Sequence, residues 1–261
     1  VADLACGSGH ILNECFDLLY DLYITEGYGR SEAVANIFCH NLTGIDLDTR
    51  AKQLSQFALL LKACQKDTAF ADAHCMPNVL TMPKPWHKET QGPIQDMLHI
   101  YFKGEATNHQ KEEIMGCFEL MQNADSLGSI MKFNINEGTR LLIKQTTDYW
   151  CSQEIVPEEV RTQIDTFKLI LALTEKYHAL VMNPPYMGRS GMNDLITQYV
   201  RDNYALGKWD LFATFMLVAI NRLEINAKMS MINMHSWMFL DAFDALRMYF
   251  VKNFQIDNML H

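Results

Sequence analysis

Asn183-Pro184-Pro185-Tyr186 follows directly on an apolar run, Ala179 to Met182. An amide, two prolines and an aromatic ring at the end of such a run describe a rigid loop delivered by a buried strand. Each proline fixes its own φ and restricts the residue before it. The Asn183 side-chain oxygen and the Pro184 carbonyl then stand as two fixed acceptors beside a flat ring, an arrangement that suits a planar NH2 group. The same four residues also read as a rigid strand-to-loop turn that buries a tyrosine, and in isolation they do not decide between the two.

A second stretch with chemical potential opens the chain. Val1 to Ala5 reads as a short strand, Cys6-Gly7-Ser8-Gly9 as a turn, and Ile11, Leu12, Cys15, Leu18, Leu19 and Leu22 as the apolar face of a helix. Gly7 and Gly9 let backbone N–H groups approach a ligand, and the helix start offers partial positive charge to a carboxylate or phosphate. Leu12 occupies the place of the third glycine of the dinucleotide fingerprint, which weighs against NAD. Leu42 to Ile45 reads as the second strand, with Asp46 at its carboxyl end and Leu47 just beyond. Nucleotide-binding α/β folds keep an acid there for ribose hydroxyls, although such an acid also serves as a plain helix cap. Asp48 reads as the cap of a helix through Ala51, Leu54, Phe57, Ala58 and Leu61.

Asp3-Leu4-Ala5-Cys6-Gly7-Ser8-Gly9-His10 resembles motif I, the S-adenosylmethionine loop of class I methyltransferases, in the version found in N6-adenine DNA methyltransferases. Strand, glycine loop and helix, then strand, acid and helix, then strand and Asn-Pro-Pro-Tyr occur in the order of the gamma-ordered members of that family. Met187-Gly188-Arg189, Asp210-Leu211-Phe212-Ala213 and Ser236-Trp237-Met238-Phe239-Leu240 are similar to the large methylases of BREX-type phage defence and combined restriction-modification enzymes. The resemblance implies a Rossmann-like class I methyltransferase fold, an α/β architecture with a mostly parallel sheet flanked by helices. It implies S-adenosyl-L-methionine as cofactor, held by Asp3, Ala5, Cys6, Gly7, Gly9, Asp46 and Leu47, and an adenine flipped out of double-stranded DNA onto Asn183, Pro184, Pro185 and Tyr186. No metal is implied. The family also carries a motif upstream of motif I, an aromatic clamp on the base and a C-terminal target-recognition domain, all expected outside Val1 to His261. Defence-system subunits are the expected partners and a bacterial cytoplasm the expected location. Related platforms serve protein-glutamine and RNA methyltransferases, and a non-catalytic scaffold that binds cofactor or partner proteins stays open beside them.

The elements that must position these residues are unevenly legible. Met76 to Met82 reads as a third strand, after which Pro83, Pro85, Trp86 and Gly92 break regular structure. The family normally places an acid after this strand for the cofactor adenine, and none follows Met82 directly. Asp72 precedes the strand and reads as structural. Asp125, in Asn123-Ala124-Asp125-Ser126-Leu127-Gly128-Ser129, lies far downstream; it reads as a cap or turn and is carried as a cofactor-binding candidate. Ile94 to Phe102, Glu112 to Met121, Glu137 to Trp150 and Pro157 to Tyr177 look helical, so residues 83–176 read as a largely helical insertion between a cofactor-binding half, 1–82, and a target-base half, 177–261.

Ser31 is expected to cap a helix to Phe38. In the last part, Tyr177 to Met182 and Lys228 to Met234 read as strands, Gln255 to Leu260 as the start of another, and Ser236 as the cap of a helix through Phe250. Asp210 reads as an early helix acid or a pocket residue, and the cationic Gly188 to Gly191 as a loop that closes over substrate or touches a phosphate, or equally as a solvated turn.

Composition bounds the rest. The 261 residues suffice for a sizeable core, and Val1 opens on a core strand as an excised piece of a longer protein would. Seven cysteines without a Cys-x-x-Cys pair argue against a disulfide framework and a zinc site, and His87, His99 and His109 lack ligand spacing. A formal charge of −9 gives no global attraction for nucleic acid, so DNA affinity must be local. No apolar stretch reaches the length of a membrane span.

Overall fold

The structure, a computed structural model, describes residues 1–72 and 75–260; the side chains of Asp72 and three other residues in that range lie outside what is described. The chain runs β1 (Ala2–Asp3), α1 (His10–Thr25), α2 (Arg30–Asn36), β2 (Thr43–Asp46), α3 (Thr49–Lys66), β3 (Asn78–Thr81), α4 (Lys88–Gln91), α5 (Ile94–Tyr101), α6 (Asn108–Met121), α7 (Ala124–Leu127), α8 (Glu137–Cys151), α9 (Glu158–Thr174), β4 (Tyr177–Met182), α10 (Asp194–Asn203), α11 (Leu211–Ile220), β5 (Leu223–Met231) and α12 (Asp244–Asn253). The five strands form one parallel sheet in the order β3-β2-β1-β4-β5.

Period-two alternation sends the strand side chains to two separate cores. Ala2, Leu4, Ile45, Leu80, Leu180 and Met182 join α5, α6, α8, α9 and α11 on one face. Cys6 and Val79 join Leu12, Phe16 and Tyr20 of α1 and Leu59 and Ala63 of α3 on the other. Helix α1 buries Leu12, Phe16 and Tyr20, four residues apart and hence one above another on a single stripe. Helix α11 is buried from Leu211 to Ala219 on every side, as its all-apolar sequence requires. This is the Rossmann-like arrangement expected for a class I methyltransferase, and the chain reverses its winding between β1 and β4. In such sheets the crevice at the carboxyl ends of the two strands flanking the reversal is where ligands bind.

Register brings the two sequence motifs to that crevice. Ala2 pairs with Leu180, so both chains leave the sheet at nearly the same level, one into Cys6 to Gly9 and the other into Asn183 to Tyr186. Between β3 and β4 the described residues contribute helices and turns but no strand. Helix α9 is the crossover that lies against the sheet, burying Val160, Phe167, Ile170 and Leu173.

Several local expectations are corrected. Ser31 does not cap α2: Gly29, two residues earlier, holds that position, and the Ser31 hydroxyl donates instead to the Asp67 carboxylate. Ser236 caps no helix, because two 3-10 turns, His235–Met238 and Asp241–Phe243, precede α12. The Arg247 guanidinium donates to the carbonyls of Trp237 and Leu240 and fixes those turns where a regular helix was expected. Gln255 to Leu260 is not a strand; its side chains are exposed and its backbone finds no ladder partner among the described residues, although Asp257 pairs with Lys228 of β5.

Candidate functional site

The glycine turn is tied to the end of β2. Cys6 N donates to Ile45 O at 3.0 Å, Gly7 N to Asp46 Oδ2 at 2.8 Å, and Gly9 N to Cys6 O at 2.8 Å. Asp46 Oδ1 accepts from Asp48 N at 2.9 Å, so one carboxylate organises both the turn and the entry to α3, which Asp48 itself caps through Arg50 N. Gly9 has φ +85°, and a Cβ there would lie 2.3 Å from Ser55 Oγ. Helix α1 therefore begins on a residue only glycine supplies comfortably, with no side-chain cap and no acid in its first turn. Its leading N–H groups stay available, and Gly7 has nothing within 4 Å of where a Cβ would stand. An uncapped helix start behind an open glycine turn fits an amino-acid carboxylate.

Asp3 is 1% exposed, with Oδ1 accepting from Ala5 N at 3.0 Å. Burial, opposed by the Ala5 hydrogen bond and reinforced by the Asp46 charge, pushes its pKa to about 7. A cation at the turn would favour its ionised form. Cys6 is buried, its thiol is pushed well up by burial, and the thiol donates to Gly7 O at 3.8 Å. Leu47 is half exposed and its carbonyl accepts from Thr81 Oγ1 at 3.2 Å.

The Leu47 side chain meets the segment that carries Asp125. Gly128 has φ +52°, and a Cβ there would lie 2.9 Å from Leu47 Cδ2. Asp125 is exposed in the first turn of α7 and does not cap it, since Asn123 holds that position. The buried stretch after it lies near β2 without a strand ladder, so side chains satisfy its backbone. Ser129 Oγ donates to Leu4 O at 2.5 Å, Tyr204 to Ile130 O at 2.9 Å, and Arg222 to Ser129 O at 2.9 Å and Met131 O at 2.7 Å. Arg222, 5% exposed, also donates to Leu173 O at 2.8 Å. Three carbonyls thus offset the cost of burying its charge. Nothing in the sequence around Arg222 signals this clamp between the Asp125 segment and the start of β5.

At the end of β4 the second motif is an exposed platform. Tyr186 is 46% exposed and its ring stands 6.2 Å from that of Phe212. Its hydroxyl lies 2.7 Å from Asn183 Oδ1 and 2.7 Å from Ile232 O. Partial burial raises the Tyr186 pKa, so the phenol keeps its proton and donates to one of these two acceptors at a time. Pro184 is buried, which fixes the backbone between the amide and the ring, and its carbonyl accepts no hydrogen bond from the described residues. Asn233 Oδ1, just beyond Ile232, is buried without a partner. The structure thus gathers Asn183, Pro184, Pro185 and Tyr186 on one loop, beside the turn of Gly7 and Gly9.

Asp210 turns out to hold this loop as well as to start α11. Its Oδ1 accepts from Phe212 N at 3.2 Å and from Met187 N at 3.1 Å. Leu211 N donates to Met187 O and Arg189 N to Trp209 O, both at 3.0 Å, around an antiparallel bridge between Gly188 and Asp210. The residues after Tyr186 are therefore zipped to the entry of the most buried helix. The short distance between Asp210 and Phe212 hinted at a cap, but its bond to Met187 needs the fold to be seen.

Among the described residues no group of three His, Cys, Asp or Glu side chains could hold a metal ion, and no helix is long and apolar enough to cross a membrane. The Eco57I restriction-modification methylase family matches residues 40–261. The chain is 31% identical over its full length to the adenine-specific methyltransferase BrxX of Escherichia coli O9:H4 (strain HS), covering 23% of that protein. It is 33% identical over 99% of its length to the adenine-specific methyltransferase PglX of Lacticaseibacillus casei (strain Zhang), covering 21% of that protein. The chain thus spans less than a quarter of either relative. These matches agree with the resemblance carried by the glycine turn and by Asn183 to Tyr186, and they extend across the helical stretch that the motifs leave silent: the chain belongs to the Eco57I restriction-modification methylase family.

Proposed function

We propose that the protein transfers a methyl group from S-adenosyl-L-methionine to N6 of an adenine flipped out of double-stranded DNA, in restriction-modification or phage defence. The observation that carries this reading is the pairing of two acceptors and an exposed ring, Asn183 Oδ1, Pro184 O and Tyr186, with an open glycine turn at the same end of adjacent strands. Both relatives are named as adenine-specific.

The cofactor, when bound, supplies a methyl group made electrophilic by its sulfonium. The turn at Ala5, Cys6, Gly7 and Gly9 and the uncapped start of α1 are assigned to its carboxylate, Asp3 to its positive charge, Asp46 to the ribose, and Leu47 and Asp125 to its adenine end. On the target side, adenine N6 is a poor nucleophile because its lone pair is delocalised into the ring, and in duplex DNA the base must first be extruded. Tyr186 stacks on the extruded base. Asn183 Oδ1 and the Pro184 carbonyl accept the two N–H bonds and so favour a lone pair localised on N6. The Tyr186 hydroxyl then rests on Ile232 O, the second acceptor it already reaches. Positioning and fixed dipoles supply the acceleration.

Residues 1–82, 83–176 and 177–261 are proposed as the cofactor-binding half, a helical insertion and the target-base half. Sequence specificity is assigned to a recognition domain elsewhere in a longer protein, in keeping with the lengths of the relatives, with defence-system subunits as partners and a bacterial cytoplasm as location. The test is transfer of labelled methyl to double-stranded DNA, RNA and a release factor in parallel. Label on adenine N6 of DNA supports the reading. Label on glutamine or RNA alone selects a different acceptor, and cofactor binding without label anywhere makes the protein a scaffold.

A further inference from the structure

The loop that follows the platform carries a feature the reaction does not use. Arg189 and Trp209 face each other across the Gly188–Asp210 bridge, and the Arg189 guanidinium carbon lies 5.4 Å from the Trp209 ring centroid. The Lys208 ammonium lies 5.3 Å from the same centroid. Trp209 is 37% exposed and Arg189 is exposed. Among the described residues neither cation has a carboxylate partner. Asp210, next to Trp209 in the chain, accepts from the Met187 and Phe212 amides through its Oδ1.

In a chain of net charge −9, Arg189 and Lys208 bring two positive charges to one indole. The indole orients both without neutralising either, because its attraction comes from the ring quadrupole. The Arg189 N to Trp209 O bond ties the backbone of Arg189 to that of Trp209, so this cation and the ring are held together. Arg189 lies three residues beyond Tyr186, which at roughly 3.3 Å per residue sets it within about 10 Å of the base platform.

We propose that Arg189 and Lys208, braced on Trp209, grip the phosphodiester backbone beside the flipped adenosine. This rests on the functional reading above and deepens it by naming the contact that draws DNA to the site despite the acidic surface. The grip is sequence-independent and belongs to the strand being extruded, since it sits on the same loop as the ring that receives the base.

The test measures KM and affinity for DNA between 50 and 200 mM salt in the protein and in R189Q, K208Q and R189K, with cofactor affinity as the check on folding. Each neutralised cation should lower the slope of log affinity against log salt by about 0.9, which over that fourfold range is about a 3.5-fold change in the ratio of affinities. The loss should appear in KM for DNA rather than in kcat, and R189K should restore the slope. R189Q and K208Q proteins that methylate DNA with the parent slope and KM overturn the proposal, as does an R189K protein that loses as much slope as R189Q. Failure of the parent protein to bind or methylate DNA would instead overturn the functional reading, and this inference with it.

Discussion

Replacing Gly9 by alanine tests how the glycine turn is built. The residue sits at φ +85°, where an alanine costs roughly 1–2 kcal/mol for the left-handed backbone alone. Its Cβ would also lie 2.3 Å from Ser55 Oγ, 2.9 Å from Ser55 Cβ and 3.0 Å from Ser55 Cα. Pushing α1 off α3 to relieve this is overpacking, typically about 1–3 kcal/mol, so Gly9→Ala should cost about 2–5 kcal/mol in all. Gly7→Ala is the internal control, because Gly7 has φ +53° but open space around it and should cost only the roughly 1–2 kcal/mol backbone share. Ser55→Gly removes the Oγ and Cβ and leaves only the Cα, 3.0 Å from the new Cβ. In that background Gly9→Ala should cost little more than Gly7→Ala, a coupling of about 1–3 kcal/mol. Urea unfolding of the four proteins measures the cycle, and calorimetry with S-adenosylmethionine measures its effect on the turn. Equal costs for Gly7→Ala and Gly9→Ala, or no coupling to Ser55→Gly, would refute the steric argument.

Asp3 gives a pH dependence with a defined sign. Its folded pKa of about 7 stands above 3.8, so its contribution to stability is complete below about pH 4 and is lost as pH rises through 7. The loss is on the order of 4 kcal/mol, and Asp3→Asn should flatten unfolding free energy between pH 4 and 8 as read by denaturant titration; an unchanged profile contradicts the assignment. Cofactor affinity should rise with pH across the same window, because a bound cation favours the carboxylate, and calorimetry in buffers of different ionisation enthalpy should show proton release on binding near pH 7. Asp210→Ala removes both a helix cap, about 1 kcal/mol, and the acceptor that holds Met187, so methyl transfer should fall further than cofactor affinity. Asp210→Asn keeps a side-chain acceptor and should recover most of the transfer; if it fails as badly as alanine, the carboxylate has a role other than holding the loop.

Residue spacing pointed to the candidate site more readily than to its supports. The turn at Gly7 and Gly9, Asp46 and the loop from Asn183 were legible because each pairs a strand end with residues of special backbone or hydrogen-bonding character, and the parallel register then brought them together. Strand β4 was read to the residue, Tyr177–Met182, because an apolar run stops at an amide followed by two prolines. Capping serines were less legible. Ser31 found an acceptor in the Asp67 side chain, thirty-six residues away, and that interaction outweighed the local cap. Gln255 to Leu260 has strand-like composition, but a strand exists only where a neighbour completes its ladder. The stretch from Gly128 to Met131 was opaque for the opposite reason: its backbone carbonyls are satisfied by Arg222 and Tyr204, partners up to 93 residues away that no periodicity reports.

The central claim is that Asn183 acts on the acceptor amine and not on the cofactor. Asn183→Ala leaves Tyr186 with Ile232 O as its acceptor, so the loop should stay in place. Labelled-methyl transfer to adenine N6 in double-stranded DNA, measured beside calorimetric binding of S-adenosylmethionine, separates the two roles. Transfer should fall by about two to three orders of magnitude with cofactor affinity unchanged. Transfer that persists at the parent rate, or a loss that follows weakened cofactor binding, would contradict it.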